Sequence, residues 1–113
     1  MVRENDWAGN GVVTDPLRLP LSGENFGLAS QVRRAALSIP ANIAEGAGRS
    51  SDRDFAKFLQ IAIASATELE YHLEFAVDAG LIARAEFVAR QRDIVEVRRM
   101  LVGLTRRLRT DKP

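Results

Sequence analysis

Between Phe55 and Ala76 the chain sets an apolar or small residue at alternating steps of four and three: Phe55, Leu59, Ala62, Ala66, Leu69, Leu73 and Ala76. That alternation keeps one narrow stripe on one side of an α-helix, the seam of a coiled-coil-like bundle. A strand would need a period of two, and no stretch of the chain competes with the helical reading. Ala62, Ser65 and Ala66 are small, so a neighbouring backbone can come close at mid-seam. Ser51 with Asp54 three residues later forms a capping-box pattern that starts this helix, and Gly80 supplies its stop.

Helical segments flank this seam on both sides. The first is expected from Ser22, a candidate N-cap with Glu24 near the positive end of the helix dipole, to about Ala44. Its centre is the stretch Gln31–Gly48, QVRRAALSIPANIAEGAG, where Val32, Ala35, Ala36, Ile39 and Ile43 recur at three- and four-residue spacing. Pro40 interrupts it. Proline offers no N–H to the carbonyl of Ala36 and its ring crowds that carbonyl, so the helix is expected to kink or restart there. Ser38 and Asn42 flank the break with side chains able to bond local backbone, and Glu45 and Gly46 close the segment. The last helix is expected from about Arg84 to Arg107, with a soft start because no capping side chain precedes it. Phe87, Ile94, Val97, Leu101, Leu104 and Leu108 form its apolar stripe, which Gln91 interrupts. The short connections GAGRSS and GLIA make successive helices antiparallel neighbours.

A chain of 113 residues bounds this to one domain. The expected division is an irregular segment over residues 1–21, a bundle over 22–109 and a tail over 110–113. Met1–Leu21 shows no sustained period, and Gly9, Gly11, Pro16 and Pro20 punctuate it. There is no cysteine, which excludes a disulfide scaffold and thiolate metal sites. With no signal peptide and no apolar run near the length of a membrane span, a cytoplasmic location is expected. The net charge is only +1, but its distribution is uneven. Ser51–Ala83 holds two Lys or Arg against six Asp or Glu, whereas Arg84–Pro113 holds nine against four.

Gln31, Arg34, Ala35, Ser38, Ile39, Pro40, Asn42, Ile43, Ala44, Glu45 and Gly46, followed by FAKFLQIAIASATELEYHLEFAVDAGLI from Phe55 to Ile82, closely resemble the signature of a family. It is the family of bacterial four-helix-bundle proteins called 23S rRNA intervening-sequence proteins, whose relatives include the accessory protein of diversity-generating retroelements. The resemblance covers roughly Phe26 to Leu108. It implies an all-α, antiparallel up-down bundle of the four-helix type, a ring-forming homopentamer, nucleic-acid engagement and, in the retroelement relatives, a reverse-transcriptase partner. It also marks Arg34, Ser38, Pro40, Asn42, Glu45 and Gly46 as a structural signature. The family places a long first helix where this chain has Met1–Leu21, so that helix is missing or degenerate and three long helices remain. The groove so left must be filled by Trp7, Val12, Val13, Leu17 and Leu19, or by another subunit.

Candidate sites are few. The inward Glu-x-x-His pairs of di-iron bundles are absent, because the residue three before His72, the single histidine, is Leu69. Glu68 and His72 lie one turn apart and read as a solvated pair rather than metal ligands. Gly46-Ala47-Gly48-Arg49-Ser50 invites a phosphate-loop reading, but no strand precedes it and no Lys-Ser/Thr pair follows, so an interhelical turn is the better reading. No Ser-His-Asp set can be composed, so the chain is not expected to be an enzyme and no cofactor is implied. Arg34, Asn42 and Glu45 read as a structural polar cluster, because charge left unpaired on an inward face or at a subunit interface is costly, with contact to a ligand as the alternative.

The basic residues carry the stronger signal. Arg92, Arg99 and Arg106 recur every seven residues on one side of the last helix, with Arg98, Arg107, Arg109 and Lys112 nearby. Guanidinium groups bond phosphates bidentately, so Arg92, Arg98, Arg99, Arg106, Arg107 and Arg109 are candidate nucleic-acid contacts. The alternative is a solvated face salt-bridged by the interleaved Asp93 and Glu96, and the residues alone leave both open. No interleaved aromatics offer base stacking, so binding is expected to be weakly sequence-specific. Glu68, Glu70, Glu74 and Asp78 could complement the basic helix of a neighbouring subunit. The expected function is therefore a self-assembling, non-catalytic bundle that binds RNA or DNA through a basic face, with the resemblance implying an accessory place in an RNA or reverse-transcriptase complex. The alternative is a protein-interaction module whose apolar groove accepts a partner helix.

Overall fold

The computed structural model of the protein describes residues 26–110. Among the described residues there are three α-helices and no strand: α1 (Phe26–Ala47), α2 (Asp52–Asp78) and α3 (Arg84–Thr110). The Ser22 cap and the expectations for Met1–Leu21 lie outside the described residues. α3 extends past Arg107 to take in Thr110, which the sequence assigns to the tail.

The termini of α2 follow from local chemistry. Ser51 has an extended backbone, and its Oγ accepts the Asp54 N–H at 3.1 Å. At the other end Gly80 takes φ +77°, the left-handed region in which a Cβ would be strained. The amide of Leu81 then reaches the Ala76 carbonyl at 2.8 Å and that of Gly80 the Val77 carbonyl at 2.9 Å, a Schellman closure that serves carbonyls the helix leaves unbonded. α1 is one continuous helix with Pro40 inside it, so it does not restart. Pro40 is exposed, so its ring sits on the solvent side while Val32 and Ala35 remain buried on the other. The helix also runs three residues past Ala44, to Ala47.

α2 is the central element. α1 and α3 both pack on it, and no Cα of α1 lies within 8 Å of a Cα of α3. Both pairings are antiparallel. Ser38 of α1 meets Ser65 of α2, while Gly46 meets Phe55 and Phe58. Glu70 of α2 meets Gln91 and Arg98 of α3, while Arg53 and Lys57 share a groove with Leu108 and Arg109. The expected seam is the observed core: Leu59, Ala62, Ala66, Leu69, Leu73 and Ala76 are buried, with Ala56 and Ser65 alongside and Phe55 partly buried.

One expectation for α3 changes. Phe87, Ile94 and Leu101 are buried and Leu104 and Leu108 partly so, but Val97 is 37% exposed. No Cα of α1 comes within 8 Å of one in α3, so the buried stripe of α3 is narrow and Val97 falls on its margin. Arg90 and Thr105 are buried instead, with Thr105 Oγ1 donating to the Leu101 carbonyl at 2.8 Å.

Gly46 sets how closely α1 ends against α2. A Cβ there would lie 2.8 Å from Phe58 Cβ and 2.8 Å from Phe55 Cδ1. Phe58 Cβ is tied to its backbone and cannot swing aside. Gly46→Ala is therefore expected to destabilise the fold by about 1–3 kcal/mol, read as a lower urea midpoint with an unchanged slope.

Candidate functional site: polar interhelix contacts and a basic end

Ser38, Asn42 and Gly46 fall four residues apart and so share one side of α1, the side that meets α2. Asn42 Nδ2 donates to the Ser38 carbonyl at 2.8 Å and to Ser38 Oγ at 3.0 Å. Ser65 Oγ donates to the Ile61 carbonyl at 2.9 Å, which uses its only proton. The 2.7 Å contact between the two serines must then run from Ser38 to Ser65. The result is a directed chain, Asn42 to Ser38 to Ser65 to the α2 backbone, in a part-buried setting where such bonds reinforce one another.

Arg34 and Glu45 are not in it, and this corrects the expected cluster with Asn42. Arg34 is exposed and donates to Gln31 Oε1 at 2.8 Å; Glu45 is exposed and pairs with Arg49 at 2.7 Å. Both find partners within one turn on the outer side of α1. A same-turn contact spares them the burial cost that motivated the cluster. Arg49 also lies 4.8 Å from the centroid of Phe58. The Gly48 amide bonds the carbonyls of Ala44 and Glu45, and the Arg49 amide that of Gly46. These amides are spent on ending α1, not presented to a phosphate.

α2 and α3 are joined by a second polar contact. Glu70 accepts from Gln91 Nε2 at 2.8 Å and from Arg98 NH1 at 2.8 Å, and Arg98 also reaches Thr67 Oγ1 at 3.4 Å. The Gln91 hydrogen bond, then that of Arg98, holds the Glu70 carboxyl below its usual range, against the opposing effect of burial. Gln91 interrupts the apolar stripe in order to make this bond. Arg98, expected to face nucleic acid, is thereby committed inside the fold. Arg90, which sequence reasoning missed, is buried and donates from Nε to Glu86 at 2.7 Å. His72 Nε2 and Glu68 Oε2 lie 3.2 Å apart, and no group of three or more metal-ligating side chains gathers among the described residues.

The remaining candidate arginines divide into two places. Arg92 and Arg99 are exposed midway along α3, with Arg99 only loosely set against Glu96 at 3.6 Å. Arg106, Arg107 and Arg109 lie on its last turns, all exposed. Because α3 is antiparallel to α2, those turns meet the start of α2. Arg53, Ala56, Lys57, Leu108 and Arg109 line a groove of about 360 Å³, and a second of about 380 Å³ follows along Gln60, Ile63, Val102, Thr105, Arg106 and Arg109. Arg53 and Lys57 were missing from the sequence-based set, though the antiparallel pairing inferred there pointed to them. The result is a basic end of the bundle, opposed locally by Asp52 and Asp54.

No helix among the described residues is long and apolar enough to cross a membrane. Comparison with known proteins adds a family. The description "23S rRNA-intervening sequence protein" matches residues 15–103, beginning ahead of Phe26. A crystal structure of a protein of unknown function from the S23 ribosomal protein family of Bacteroides thetaiotaomicron is 32% identical, with a TM-score of 0.67 over 69% of this chain and 72% of that one. No curated protein matches.

Two expectations follow from the polar contacts. Glu70 is depressed in the folded state, so its contribution is full above the unfolded carboxylate pKa and is lost as pH falls through the folded one. Glu70→Gln should cost about 1–3 kcal/mol at neutral pH and flatten the acid limb of stability measured by urea at several pH values. For the serines, Ser65→Ala should cost about 1 kcal/mol, and adding Ser38→Ala should cost less than the sum of the single changes, because the orphaned hydroxyl is then removed too.

Proposed function

The chain belongs to the 23S rRNA-intervening sequence protein family, and on that premise we propose that it is a self-assembling, non-catalytic bundle whose basic end binds the phosphate backbone of nucleic acid. The observation that supports this reading is the convergence of Arg53 and Lys57 from α2 with Arg109 from α3 around one groove, with Arg106 on the adjoining one. Cations from two helices fixed at one end form a surface on which several phosphates can be neutralised together, releasing counterions. Arginine dominates the set, and its planar fork suits phosphate oxygens. Among the described residues no aromatic side chain lines either groove, which suits the surface to backbone contact rather than base readout.

The polar side chains at the helix contacts support a non-catalytic role. The Ser65 proton goes to a backbone carbonyl and that of Ser38 to Ser65, so neither hydroxyl faces a base. Self-assembly would present several basic ends at once and turn a weak contact into an avid one. A homopentamer and a place beside a reverse transcriptase rest on the family resemblance alone.

The test is fluorescence anisotropy with labelled RNA and labelled DNA across a salt series. Log affinity should fall linearly with log salt, and replacing Arg53, Lys57 and Arg109 together with alanine should lower the slope by about 2–3 at unchanged helicity. An unchanged slope in the triple variant sinks the assignment of the basic end. An assembly indifferent to both nucleic acids shifts the reading to a module that accepts a partner helix.

A further inference from the structure

Outside the core, α2 and α3 each carry a second periodic stripe. On α3 it is Val88, Arg92, Val95, Arg99, Val102 and Arg106, at steps of four and three. On α2 it is Ile61, Ala64, Glu68, Tyr71, Phe75 and Asp78, at steps of three and four. This is bundle-seam spacing, and neither stripe is spent on the core. Every member is exposed except Val95, which is half-buried; Tyr71 is 64% and Phe75 52% exposed. Two large aromatics open to water on one stripe mark a surface that gains by being covered.

We propose that these stripes are the two halves of one subunit contact: the outer stripe of α2 from one copy packs on the outer stripe of α3 from the next. This specifies the surface for the self-assembly in the preceding reading and rests on it. Charge selects the occupant. The α2 stripe carries Glu68 and Asp78, which repel a phosphate backbone, and the α3 stripe carries Arg92, Arg99 and Arg106, which attract them. At 1.5 Å rise per residue the two acids are about 15 Å apart and consecutive arginines about 10.5 Å, a mismatch under one turn that long guanidinium arms can span. The valines between the arginines suit an apolar partner surface and add nothing to phosphate binding.

Gly103 is a second, independent pointer. It lines a groove of about 470 Å³ with Val95, Arg99, Val102 and Arg106, and a Cβ on it would meet nothing within 4 Å. Glycine weakens a helix interior, and no described residue comes close enough to require it here. A neighbouring helix seated on the stripe would require it, because a missing Cβ lets another backbone approach. Since the two surfaces differ, the contact is heterologous and closes into a ring only if the rotation between copies permits. The groove around Arg53, Lys57 and Arg109 belongs to neither stripe, whereas the adjoining one shares Val102 and Arg106 with the α3 stripe.

Light scattering after size-exclusion chromatography, on the full chain, tests this. The wild type should be an oligomer. Glu68→Arg with Asp78→Arg, and separately Arg92→Glu with Arg99→Glu, should each give monomers of unchanged helical circular dichroism. Mixing the two variants, or combining all four changes in one chain, should restore the oligomer, because each reversed stripe then meets an opposite charge. Gly103→Ala should raise the melting temperature of the monomeric reversal variant yet dissociate the wild-type oligomer at least tenfold more readily on dilution. A monomeric wild type, or an oligomer unmoved by both reversals, overturns the contact. Failure of the basic-end triple variant to lose nucleic acid leaves these masses unchanged, so the two readings fail separately. Should the reversals leave the mass intact and abolish nucleic-acid binding instead, the α3 stripe is a phosphate surface and the subunit contact is wrong.

Discussion

The close approach of α1 to α2 is the constraint on which the rest of the structure depends. Ala62 and Ala66 are fully buried, Ser65 lies between them in sequence, and Gly46 removes the last side chain from the crossing near Phe58. Small residues at a helix contact bring two backbones together, and only then can short side chains reach across. Serine and asparagine have little reach, so the Asn42–Ser38–Ser65 relay exists because the helices are already close. The relay in turn favours one offset between them, since sliding by one residue would break the Ser38–Ser65 bond, its link across the helices, and take the acceptor from the Ser38 proton. Apolar burial supplies the driving force; the polar chain selects one register from several that would bury similar area.

α3 is registered differently. Its buried stripe of Phe87, Ile94 and Leu101 repeats every seven residues, so a shift by one heptad would present a nearly equivalent apolar face. Glu70 breaks that degeneracy by bonding Gln91 and Arg98 at once, two residues themselves seven apart. Partly buried ion pairs are weak evidence of net stability, because desolvation offsets much of the attraction. Here the pair also excludes the shifted alignments.

The helical seam, the Ser51 cap, the Gly80 stop and the antiparallel order were legible in the sequence because each depends on near neighbours. Spacing reports which side of a helix is buried, and caps are local events. What stayed hidden depends on which side of a helix faces which neighbour. The signature segment divides in a way its residue types do not announce: Ser38, Asn42 and Gly46 meet α2, while Arg34, Pro40 and Glu45 are exposed. Arg53 and Lys57 were overlooked because they lie on an acidic helix, and average charge over a helix hides where its few cations sit. Folding α3 back along α2 places them beside Arg109.

The arginines of α3 show why a seven-residue period alone could not assign a role. One helix can carry two stripes with the same repeat, one buried inside its subunit and one open to solvent. Phe87, Ile94 and Leu101 repeat by seven; so do Val88, Val95 and Val102, and so do Arg92 and Arg99. Offset by a single residue, the first two series overlap in any periodicity measure and merge into one broad apolar signal. Burial separates them, since the first is inside and the second is largely open. Chemistry then divides the cations by place: Arg90 pairs with Glu86 at the core margin, Arg98 reaches Glu70 across the helix contact, and Arg109 sits at the end of the bundle beside Arg53 and Lys57. One residue type on one helix thus meets several electrostatic environments. The function assigned to each follows from its neighbours across space, which the spacing along the chain does not record.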